Sequence, residues 1–69
     1  MILKKQVGKK LKDIRNENKL SQQQVADSAK IEQRHISGIE QGKGNITINT
    51  LERIAEVLNK NVIIDFKEK

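Results

Sequence analysis

The chain has 69 residues, enough for one domain with a thin core, and it has no cysteine, which excludes disulfides, thiolate nucleophiles and cysteine-ligated zinc modules. Fourteen Lys and Arg against nine Asp and Glu leave a net charge of +5, and residues 1–20 alone hold seven basic and two acidic side chains. A basic chain of this size attracts phosphate polymers through counterion release, although a lysine run on a helix is most often its solvated face.

The apolar run Met1-Ile2-Leu3 stops at Lys4 and is too short for the core of a secretory leader. No segment approaches the roughly 20 apolar residues of a membrane span, so the expectation is a soluble, cytoplasmic protein without membrane contact. No proline, repeat or low-complexity tract interrupts the chain. One domain is expected over 1–61, followed by a tail over 62–69.

Leu3, Val7, Leu11 and Ile14 recur at three- and four-residue spacing, which predicts a first helix from Leu3 to Glu17 with lysines on its other faces. Asn18-Lys19 ends it, and Ser21 is placed as the N-cap of a short second helix, Gln22 to Ala29, with Val25, Ala26 and Ala29 inward. Lys30-Ile31 turns into a third helix from about Glu32 to Gln41, anchored by Ile36 and Ile39. The glycines of Gln41-Gly42-Lys43-Gly44-Asn45 make a loop. Thr47 then caps a fourth helix whose Ile48, Leu51, Ile54, Ala55 and Leu58 are expected inward, and Asn59-Lys60-Asn61 closes it.

Val62-Ile63-Ile64-Asp65-Phe66 is apolar, rich in β-branched residues and too short for a helix, which predicts a strand. A lone strand needs a partner. Within the chain the candidate is the Met1-Ile2-Leu3 end. Two copies pairing their tails as an antiparallel ribbon is the favoured alternative, with Val62, Ile64 and Phe66 as dimer contacts.

Little here points to catalysis: there is one histidine, no Ser-His-acid set and no glycine-rich phosphate motif, so neither an enzyme nor a metal or other cofactor is expected. Glu52 and Glu56 lie four apart on the outer face of the fourth helix, where solvated charge is the ordinary explanation.

Two short helices joined by a tight turn, the second with an exposed polar face, form the arrangement that lays a helix in the DNA major groove. The run Gln22-Gln23-Gln24-Val25-Ala26-Asp27-Ser28-Ala29-Lys30-Ile31-Glu32-Gln33-Arg34-His35-Ile36-Ser37-Gly38-Ile39-Glu40 resembles the helix-turn-helix of the lambda-type phage repressor and Cro family, the XRE family. Ala26 falls where the family's two helices cross, and Val25, Ala29, Ile31, Ile36 and Ile39 match its buried positions. Ile39-Glu40-Gln41-Gly42-Lys43 matches its Ile-Glu-x-Gly-Lys ending.

The resemblance implies an all-α, compact four- to five-helix lambda-repressor-like DNA-binding domain, its helix-turn-helix at about 21–41, to which the pattern of the tail adds a short C-terminal β-strand used in dimerisation. It implies a homodimer on double-stranded DNA, a sequence-specific regulator repressing from a palindromic operator. The alternative is a type II antitoxin, which binds a protein toxin with another surface. Only Lys67-Glu68-Lys69 follows the expected strand, which leaves little room for toxin-binding sequence.

By the same resemblance, Gln33, Arg34, Ser37 and Gly38 are the base-reading candidates. An amide such as Gln33 can engage adenine bidentately, and Arg34 can fork onto guanine or grip a phosphate instead. Gly38, costing about 1 kcal/mol mid-helix relative to alanine, either permits close approach to DNA or is a tolerated weakness. His35 is either a modulator of affinity near the DNA or a bystander. Ser21, Gln22, Gln41, Lys43 and Asn45 are the phosphate candidates. Arg15 and Glu40 are expected to form a structural ion pair behind the third helix.

Two positions depart from the family pattern. Lys30 stands where glycine is usual, and a positive φ is costly for a residue with a β-carbon. Glu32 replaces a Ser or Thr cap; its charge suits the helix dipole and repels nearby phosphates.

Overall fold

In the computed structural model, which describes residues 2–69, the chain forms four helices: α1 (Ile2–Glu17), α2 (Gln22–Ala29), α3 (Gln33–Glu40) and α4 (Ile48–Val57). Met1, part of the segment considered as a partner for the tail, lies outside the described residues, and the segment after it is already helical. The core is made by Leu11 of α1, Val25, Ala26 and Ala29 of α2, Ile36 and Ile39 of α3, and Ile54 and Leu58 at the end of the chain's last helix. Ala26 is fully buried. Its single methyl lets α2 cross α3 closely, and α3 also packs on α1 while α4 packs on α2.

Local chemistry sets the boundaries. Ser21 and Gln24 form a reciprocal capping box: the Gln24 backbone N–H donates to Ser21 Oγ at 3.0 Å, and the Ser21 N–H donates to Gln24 Oε1 at 2.8 Å. Thr47 caps α4 by accepting from the Thr50 N–H at 3.1 Å. Glu32 occupies the N-cap position of α3 and makes no side-chain cap bond.

All four helices end on a left-handed residue, at Lys19, Lys30, Gly42 and Asn59. In each case the next residue's N–H returns to a carbonyl five positions earlier, Leu20 to Arg15, Ile31 to Ala26, Lys43 to Gly38 and Lys60 to Ala55. Lys30 therefore does adopt the positive φ, 58°, that its place in the turn foreshadows.

Two expectations are corrected. Ile48 is not inward: it is 67% exposed. Side chains tilt toward the helix N-terminus, so one in the first turn of α4 overhangs the end of the bundle instead of its middle. Val62–Phe66 is not a strand either, and no strand occurs among the described residues. Ile2 and Leu3 belong to α1, so among the described residues no segment is left to supply ladder bonds within one chain, and an extended segment alone gains none. The tail is irregular and exposed.

Candidate nucleic-acid interface

α3 carries Ile36 and Ile39 into the core and turns Arg34, Ser37, Gly38 and Gln41 outward on its opposite side, with Gln33 at the edge nearest α2. Gly38 sits in open space: a β-carbon there would meet nothing within 4 Å. The Arg34 guanidinium lies 3.4 Å from Glu32, both side chains mostly exposed, a contact worth little in water. Gln41 Nε2 donates to Ser37 Oγ at 3.1 Å, which fixes two outward polar groups relative to one another.

Behind that face runs a chain of charge-assisted bonds. Arg15 of α1 donates from Nε to Glu40 Oε2 at 2.6 Å and from Nη2 to Glu40 Oε1 at 3.0 Å, a bidentate pair. Its Nη1 donates to the Leu20 carbonyl at 2.7 Å. The two side chains are only 11% and 5% exposed, so neither charge is offered to a ligand. Glu40 Oε1 also accepts from Gln22 Nε2 at 3.0 Å, and Gln22 Oε1 in turn accepts from Gln33 Nε2 at 2.6 Å. One relay therefore links α1, α3 and the first residue of α2 and ends on Gln33. Burial pushes the Glu40 carboxyl up, but the bonds from Arg15 and Gln22, with the charges of Arg15 and Lys12, outweigh it and hold Glu40 below the usual carboxylate range. The bond to Glu40 raises Arg15 in turn, against the cost of its burial.

The phosphate candidates surround this face unevenly. Ser21 and Gln22 stand at the N-terminus of α2, where backbone N–H groups are free and the helix dipole favours an anion. Gln22 has its carbonyl oxygen and one amide hydrogen engaged in the relay, leaving its second hydrogen. Lys43 and Asn45 are exposed in the loop after α3, and His35 is exposed on α3.

Three features of this region went unread in the sequence. Gly8 marks the closest crossing of α1 over α3, where a β-carbon would overlap the Ile39 carbonyl oxygen. A glycine inside an otherwise helical pattern was the available signal. Lys5 lies against Gly42, whose β-carbon position is 2.8 Å from Lys5 Cγ, and Lys12 acts on Glu40, so two lysines of α1 flank the C-terminal end of α3. Arg53 of α4 donates to the Ala29 and Lys30 carbonyls at 2.6 and 3.0 Å, tying down the end of α2. Nothing local in the sequence signals a contact spanning 24 residues.

Two short helices crossing at a small residue, the second held from behind and open in front, define the helix-turn-helix class. A family model described as Helix-turn-helix matches residues 11–63. The chain is 38% identical over 56 residues to the immunity repressor protein of Bacillus phage phi105, a match that covers 81% of this chain and 39% of the repressor. It is 32% identical over 62 residues to the control protein C.SmaI of Serratia marcescens, covering 90% of this chain and 74% of that protein. The chain belongs to the XRE-type helix-turn-helix family of DNA-binding transcriptional regulators. Among the described residues no helix is long and apolar enough to cross a membrane.

Proposed function

We propose that this chain is a sequence-specific transcriptional regulator that binds a two-fold operator as a dimer and represses from it. The observation that carries this is the state of Gln33. Its Nε2 spends one hydrogen on Gln22, while its Oε1 and second Nε2 hydrogen have no other side-chain partner among the described residues. An adenine edge in the major groove needs one acceptor and one donor held in one plane, and that is what remains. The relay from Arg15 through Glu40 and Gln22 restrains the amide before DNA arrives, which lowers the ordering cost of binding.

Ser37 and Gly38 lie beside Gln33 for base contact, with Arg34 released from Glu32 to a guanine or a phosphate. Ser21, the free hydrogen of Gln22, Gln41, Lys43 and Asn45 grip phosphates on either side. The names of the phage repressor and the control protein support a regulator. Neither is named for a toxin, and we do not propose a toxin partner.

Gln33→Ala is expected to weaken binding to the preferred site by about 1–3 kcal/mol and to relax selectivity at one base pair. Lys43→Ala is expected to weaken all sequences alike. Selection of bound fragments from random duplex DNA, followed by titration of both variants on the selected and on scrambled sites, measures this. Equal losses on every sequence for both variants would contradict the assigned roles.

A further inference from the structure

The exposed large apolar side chains lie at the start of α1, at the start of α4 and in the tail. Val7, Leu11 and Ile14 of α1 and Leu51 of α4 line a groove that the chain's own Val62 and Ile63 border, with Ile63 well exposed. Leu3 lies one turn before Val7, and Ile48 one turn before Leu51, beyond the residues that line the groove. Both are well exposed. The tail does not cover them. Val62, Ile64 and Phe66 alternate along an extended segment, and their exposure climbs from 37% to 61% to 92%. The apolar row that begins at the groove thus leaves the molecule, while Leu3 and Ile48 stay uncovered.

The charges are complementary as well. Lys10 stands on the rim of the groove without an ion-pair partner among the described residues, and Asp65, equally unpaired, sits between Ile64 and Phe66.

We propose that the occupant is the tail of a second copy: in the dimer each chain lays Ile64 and Phe66 on Leu3 and Ile48 of its partner, with Asp65 turned toward Lys10 of the partner's α1. The contact is reciprocal, as a two-fold interface requires, and it replaces strand pairing between tails with tail exchange. Leu3 and Ile48 lie outside the outward face of α3, so the base-reading face stays open. This rests on the dimeric reading above and names the surface that makes the dimer.

The test uses two full-length variants at exposed positions, Ile48→Glu and Phe66→Glu, with sedimentation equilibrium as readout and binding to a selected two-fold site measured in parallel. Exchange predicts that each variant alone loses dimerisation by well over about tenfold, because the two-fold dimer loses an apolar anchor at both of its contacts. Mixing the two is expected to restore dimers, because a hybrid keeps one contact intact, wild-type tail on wild-type groove. If Ile48→Glu dimerises like the wild type while Phe66→Glu does not, the tails pair with each other and exchange is wrong. If both variants dimerise and bind the two-fold site normally, exchange is wrong and the dimeric regulator stands. A wild-type chain that remains monomeric even on DNA removes both.

Discussion

At the scale of single residues, two glycines make opposite predictions. Alanine in place of glycine inside a helix ordinarily stabilises by about 1 kcal/mol, because the glycine loses more backbone freedom on folding. Gly38 has open space around its β-carbon position, so Gly38→Ala is expected to raise stability by about that amount in a thermal melt. If operator affinity falls in the same variant, the glycine is kept for close approach to DNA; if affinity holds, it is a tolerated weakness. Gly8→Ala meets the Ile39 carbonyl, which is backbone and cannot step aside, so it is expected to lose roughly 1–3 kcal/mol despite the helix gain. Position along the helix predicts the first of these, and only the crossing of α1 over α3 reveals the second. Periodicity reports which face a residue is on, not how near the neighbouring backbone passes.

The Arg15 and Glu40 pair belongs to the same scale. Both side chains are nearly covered, so removing either partner strands a charge, and Arg15→Ala or Glu40→Ala is expected to cost about 3–5 kcal/mol. That is comparable with the whole stability of a domain this small. The pH dependence has a definite sign. Glu40 titrates lower folded than unfolded, so the unfolded chain binds the proton more readily, and the pair's stabilisation is complete above the ordinary carboxylate value of about 4.3. It is lost as pH falls through the folded value. Urea titrations of wild type and Glu40→Gln should therefore differ most near neutrality and converge in acid; a constant gap down to pH 2 would place the carboxyl outside the pair. Resemblance to a family pairs Arg15 with Glu40. The bonds onward to Gln22 and Gln33 depend on side-chain positions that no spacing rule supplies.

At the scale of elements, the helices were legible because each carries its own stop signals, and the errors fall where an element depends on something distant. The α2–α3 turn is the instructive case. Lys30 is held at a φ of 58°, where a β-carbon costs about 1–2 kcal/mol, because the bond from the Ile31 N–H to the Ala26 carbonyl and the burial of Ile31 leave the turn no other path. Lys30→Gly is therefore expected to stabilise by about 1 kcal/mol, part of the gain being offset by the freedom glycine adds to the unfolded chain. Glu32→Ser acts two residues later. It supplies the cap oxygen that α3 lacks, worth about 1 kcal/mol, and removes a carboxylate next to Arg34 on the DNA-facing side. Stability and operator affinity should rise together in that variant; a rise in stability alone would mean that Glu32 lies beyond the reach of the phosphates. The strand expected at Val62–Phe66 failed for a related reason: β-branched composition describes what a segment can become, and pairing requires a neighbour that none of the described residues of the single chain supplies.

At the scale of the whole molecule, charge and shape act together. The excess of positive charge lies in the first twenty residues, yet α1 presents it on two sides: Lys5 beside Gly42 and Lys12 near Glu40 flank the C-terminal end of α3, whereas Lys10 stands on the opposite rim. Net charge cannot make that distinction, and helix geometry can. Each phosphate neutralised by a lysine contributes about 0.9 to the slope of log affinity against log salt. Lys5→Gln, Lys12→Gln and Lys43→Gln are therefore each expected to flatten the slope by about 0.9 per protomer, whereas Lys67→Gln, far along the tail, leaves it unchanged. In a two-fold complex every substitution is counted twice, so the change on a full operator should be twice that on an isolated half-site, provided a single protomer binds the half-site. The ratio tells the number of protomers on the DNA independently of affinity. A change of equal size on both DNAs would mean that one protomer makes all the contacts, and the two recognition helices would then have no reason to sit about 34 Å apart in successive major grooves.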